Sequence, residues 1–154
     1  MTPQGSNTGL NIFILLWGAI LWSCVVFLGV ATFQVGGSFF SIDAFMSESP
    51  TSFIYFLIAI VLFVSAFKIP NILFKSIKVD PGSPTADLEK KYFAPFIIRI
   101  VMFETCTLLG FILTVTTQKN LVLPFFILSV LGFLMNIPSR NKIRFELMRG
   151  SRRT

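Results

Sequence analysis

The sequence predicts an all-α integral membrane protein with four transmembrane helices, arranged as two tandem helical hairpins packed as a bundle. Three observations carry that expectation: an apolar composition, four runs of membrane-crossing length, and a lopsided distribution of positive charge. Of the 154 residues, 54% are hydrophobic and only 13% charged, against roughly 25% charged in an ordinary soluble domain. Mean hydropathy is +0.79. A water-soluble core of this size could not hide so much apolar surface, so lipid is the expected solvent.

A helix rising ~1.5 Å per residue needs about 20 mostly apolar residues to cross a hydrocarbon layer roughly 30 Å thick. Residues 10–33, 52–74, 92–116 and 121–137 meet that length. Backbone amides in lipid must be satisfied within the segment, so these spans are expected as helices. The first lacks a preceding Lys or Arg and exceeds the length of a signal-peptide apolar region, and it reads as a retained span.

Lys and Arg in short loops stay on the cytoplasmic side. The linker at 75–91 holds Lys75, Lys78, Lys90 and Lys91, and the tail at 138–154 holds Arg140, Lys142, Arg144, Arg149, Arg152 and Arg153. The opposite loops hold little: Asp43 and Glu48 between spans one and two, and Lys119 between spans three and four. Both termini are therefore expected inside, and the net charge of +6 reads first as a topology signal. The six basic tail residues are expected to contact anionic headgroups or an acidic partner. Nucleic acid is not expected, because the tail offers no aromatic stacking platform beyond Phe145.

Pro81, Gly82, Ser83 and Pro84 punctuate the linker and divide the chain into its two hairpins. The hairpins share features. Span two ends in Ile69-Pro70-Asn71 and span four in Ile137-Pro138-Ser139, while Leu28-Gly29 and Leu109-Gly110 recur in spans one and three at an offset of 81 residues. Duplication and chance similarity between apolar helices both account for these matches. Each Pro is expected to end or kink its span. The alternating residues 71–78 then suit a short interfacial helix.

Ionisable groups at membrane depth carry an insertion cost of ~2.5–3.5 kcal/mol and need a partner or a task. The candidates are Glu104, near the midplane by residue counting, with Arg99 and Lys68 nearer the inner edge. Arg99 and Glu104 stand about 140° apart around a helix and are poorly placed to pair. Arg99 and Lys68 are expected to extend toward the headgroups. Glu104 cannot reach that far, and it has Thr107 on its own helix and Ser23 at the equivalent level of span one. It either couples to a proton or cation or holds helices together. Cys24 and Cys106 read as small packing residues. With no His and no metal-ligand spacing, neither a cofactor nor a metal is expected.

The run from Arg99 through Glu104 to Gly110 resembles the carboxylate-bearing helix of rotary-ATPase proteolipids, although the other spans are rich in Phe, Leu and Ile rather than in Gly and Ala. More broadly the chain resembles small four-span bacterial membrane proteins with an Arg-x4-Glu-x5-Gly third helix and a Pro near the end of the fourth. That resemblance implies the fold and a bacterial inner membrane, and no activity. The residues show no paired Asp, His-rich or Ser/Lys arrangement for catalysis. The expectation is a non-enzymatic multi-pass subunit that assembles with other membrane proteins or with itself, with an ion-coupled transporter or channel component as the alternative.

Overall fold

The computed structural model describes residues 8–36, 50–77 and 84–151. The predicted outer loop acids Asp43 and Glu48, the linker residues Lys78, Pro81, Gly82 and Ser83, and the tail residues Arg152 and Arg153 lie outside them. The described residues form five α-helices and no strand: α1 (Thr8–Gln34), α2 (Pro50–Ser76), α3 (Thr85–Thr117), α4 (Val122–Met135) and α5 (Arg140–Ser151). Spans in α1, α2 and α3 are each long and apolar enough to cross a membrane, and α4 with α5 forms a fourth candidate bent by 87°.

The first four helices run alternately up and down. Phe13, Phe74 and Tyr92 meet at one end, which also carries the start of α5, because Tyr92 Oη donates to Glu146. At the other end Asn120 donates to Thr32, and Phe56 packs edge-on against Phe125. Among the described residues, Lys90 and Lys91 at the start of α3 and the cations of α5 thus lie toward one end of the bundle, together with the start of α1.

The two hairpins are not separate packing units. α3 is the central helix, with α2, α4 and α1 packed around it, and α1 and α2 make no substantial contact with each other. Composition explains the centre. α3 interrupts its apolar run with small residues at Cys106, Thr107, Gly110 and Thr114, all buried, and these admit close neighbours. A side chain at Gly110 would collide with Phe125, and one at Gly132 of α4 would collide with the Phe103 ring. At Gly9 the Glu89 side chain occupies the place of a Cβ, which sets a carboxylate beside the positive start of α1.

Several predicted boundaries are corrected. α2 continues through Pro70 to Ser76, so residues 71–76 belong to the same helix and not to the separate short one expected over 71–78. Its continuation is held by Phe74, which is buried, stacked on Tyr92 at 5.5 Å and lies beneath the Arg99 guanidinium. Tertiary packing of this kind outweighs the single hydrogen bond that Pro removes. α3 begins at Thr85, so residues 85–91 of the expected linker are helical. The fourth apolar helix has only 14 residues and ends at Met135 rather than 137. The tail expected over 138–154 contains α5, an amphipathic helix whose Ile143 and Leu147 are buried against the bundle.

Candidate functional site

Two polar clusters lie inside this apolar frame. The first sits where α4 ends. The last carbonyls of any helix lack intrahelical donors, and here three side chains supply them. Asn136 Nδ2 donates to Gly132 at 2.8 Å, Trp17 Nε1 to Phe133 at 3.0 Å, and Lys142 Nζ to Met135 at 2.6 Å. The Asn136 amide adds a bond to Phe133 at 3.0 Å, and Pro138 follows two residues later. This end of α4 can therefore stop inside the bundle without leaving its backbone bare.

Arg99 reaches the same place from α3. Its side chain is 3% exposed, and Nη1 lies 3.0 Å from both Glu146 oxygens and 3.1 Å from Asn136 Oδ1. Tyr92 donates to Glu146 at 3.0 Å, and Lys142 to Asn136 Oδ1 at 3.2 Å. Burial pushes the Lys142 ammonium below its ordinary pKa, Glu146 opposes that shift, and Arg99 adds to it. The expectation that Arg99 extends to the headgroups is thus corrected. A carboxylate from α5 comes to it, and the guanidinium stays buried as one half of an ion pair. Lys142, expected to contact lipid or a partner, is drawn half inward onto the end of α4.

Among the other predicted contacts, Arg140, Arg144 and Arg149 are exposed on α5, and Lys68 is exposed on α2. Glu146, Asn136, Tyr92 and Trp17 were not among the predicted site residues. The signal for Glu146 was present: it is the single acid among the tail's six cations, and it falls on a helical stripe beside Ile143 and Leu147.

The second cluster surrounds Glu104 in the middle of α3. Ser23 Oγ hydrogen-bonds with Glu104 Oε1 and lies 2.7 Å from the Ile20 carbonyl, the alternative acceptor for its single proton. The two residues are 81 apart, the offset that relates the Leu-Gly pairs of spans one and three. Thr107 is buried with its hydroxyl lacking a conventional hydrogen bond, and the Cys24 thiol lies beside it, with Ser129 and Glu104 also within its reach. Ser129 donates to the Phe103 carbonyl.

The remaining polar neighbours turn elsewhere. Thr105 bonds back to Val101 on the outer face, Cys106 directs its thiol at Ala59 of α2, and Trp22 is 67% exposed. Glu104 and Arg99 do not pair, as their separation around the helix anticipates.

Among the described residues no group of three His, Cys, Asp or Glu side chains is disposed to hold a metal. The first cluster has the geometry of a clamp, which ties α3, α4 and α5 together through one buried charge pair. The second is a carboxylate on α3 bonded to one hydroxyl, that of Ser23 on α1. Comparison with protein-family models, curated proteins and solved structures finds no match to this chain.

Proposed function

We propose that the chain is a non-enzymatic multi-pass membrane subunit, with both termini on the cytoplasmic side, that assembles laterally with a helix of another membrane protein or of a second copy. One observation carries this reading: the outward face of α1. Gly18, Trp22, Val25 and Gly29 follow one another at four- and three-residue steps, which places them on one stripe. Gly18 and Gly29 have open space where a side chain would be, and Trp22 and Val25 are exposed. Only 11% of the apolar window of α1 is buried within the protein, against 44% for α3. Small residues flanking an exposed aromatic let another helix approach closely in lipid, where packing drives association. The gathering of Lys90, Lys91 and the cations of α5 at one end supports the assignment of that end to the cytoplasm.

Gly29→Leu tests the reading with little disturbance of the monomer, since nothing lies within 4 Å of the place a Cβ would take and the position faces outward. The variant should fold as the parent does and migrate as a smaller species in mild detergent. An unchanged size and an unchanged set of co-purifying proteins would refute lateral assembly through α1.

A second reading, an ion-coupled transporter or channel component, is favoured by the Glu104 cluster. Ser23 of α1 and Glu104 of α3 bring a hydroxyl and a carboxylate together within the bundle. Under this reading Glu104→Gln abolishes cation- or proton-dependent flux in proteoliposomes while the protein stays folded. Under the assembly reading neither the parent nor the variant conducts, and the substitution changes only stability.

A further inference from the structure

The basic end of the bundle contains a cavity of about 380 Å³ between α2, α3, α4 and α5, bordered by Arg99, Lys142, Arg149 and Glu146 on its polar side. We propose that this cavity binds the phosphate of an anionic phospholipid, with Lys142 and Arg149 around the phosphate, the buried Arg99 guanidinium at the inner wall, and Phe67, Phe74 and Phe145 against the glycerol and the first acyl carbons. Three features of the lining support it.

The first is charge. Three cations face a single carboxylate, and that carboxylate is already committed, because Glu146 accepts from Arg99 and from Tyr92. Lys142 and Arg149 are left as surplus positive charge.

The second is an unsatisfied donor. Arg99 is 2% exposed, and its Nε is buried without a hydrogen-bond partner among the described residues, although Nη1 is fully engaged. A guanidinium presents its donors in a planar fork suited to phosphate oxygens.

The third is the apolar wall. Phe67 and Phe74 line the interior, while Phe145 and Met135 are 64% and 62% exposed at the border of the cavity. Inorganic phosphate would leave these surfaces uncovered, whereas an acylated diester covers them. Basic pockets between transmembrane helices at the cytoplasmic side take anionic headgroups for these reasons. The proposal does not depend on α1 assembling with anything, so Gly29→Leu should bind the lipid as the parent does.

The experiment uses the full chain in a neutral detergent, with thermal unfolding followed by a thiol-reactive dye at Cys24 and Cys106, both buried when folded. Short-chain phosphatidylglycerol should raise the midpoint by about 3 °C at saturating concentration. Phosphatidylcholine of the same chain length and inorganic phosphate should leave it unmoved. Arg149→Gln, an exposed position at the cavity, should weaken the apparent affinity about tenfold, the loss expected for one charge-assisted contact. Arg144→Gln, on the same helix and away from the cavity, should change it little. Equal shifts from the two lipids, or equal losses in the two Arg variants, would overturn the site in favour of diffuse surface charge. A full shift from inorganic phosphate alone would overturn the lipid assignment.

Discussion

Glu146→Gln should lower the stability of the fold by about 3 kcal/mol, the cost of leaving one member of a buried pair without its counter-charge. Arg99 cannot relieve the loss by giving up its proton, and at 2% exposure it has little contact with water. In a protein of this size the change corresponds to a fall of roughly 10 °C in the unfolding midpoint, read with the same thiol-reactive dye. Arg99→Met should be comparably harmful, since it leaves the Glu146 carboxylate facing Tyr92 without its cation. The double variant Arg99→Met with Glu146→Leu removes both charges and should lose less than the two single changes combined. Strict additivity would show that the two side chains do not act as a pair.

Phe103→Ala should rank close behind, at about 3 kcal/mol, because it opens a cavity at the centre of the bundle. The Phe103 ring is fully buried and touches Phe63, Phe67 and Phe133 at centroid distances of 5.6, 5.4 and 6.0 Å. It also fills the space over Gly132, where a Cβ would collide with it. Gly132→Ala alone should therefore cost about 1–3 kcal/mol through overpacking. Phe103→Leu with Gly132→Ala exchanges volume across the same contact, and the pair should be more stable than either change predicts alone. The double-mutant cycle measures that coupling. A coupling of zero would mean that α3 and α4 do not approach as closely as this contact requires.

The apolar helices were legible in the sequence because lipid imposes a length and a composition on them, and both are local properties. Their ends were less legible, for reasons visible at the two Pro sites. The same Ile-Pro pair closes α4 and fails to close α2. At Pro138 the preceding Asn136 folds back onto Gly132, and three side chains take the final carbonyls. At Pro70 the chain continues as helix because Phe74, four residues later, has Tyr92 and Arg99 to pack against. A dipeptide does not encode which neighbour it will meet.

The site divides in the same way. The juxtaposition of Ser23 with Glu104 was foreseeable from the internal similarity of spans one and three, whatever the origin of that similarity. The partner of Arg99 was not foreseen, since Glu146 lies 47 residues further on, within a tail whose cations suggested solvent and lipid. Only the helical register of Ile143 and Leu147 turns Glu146 inward.

The shortness of α4 has a consequence for the surrounding bilayer. At ~1.5 Å per residue its 14 residues reach about 21 Å, whereas the 27 residues of α1 reach about 40 Å. α1 is long enough to cross a membrane by itself and α4 only together with α5; a bilayer that took α4 alone beside α1 would be thinner on that flank, or the protein would tilt to share the mismatch. Either response deforms the lipid asymmetrically. Copies of such a wedge would gain by clustering their thin flanks or by settling where the membrane is already thin or curved, so hydrophobic mismatch would influence where this chain resides.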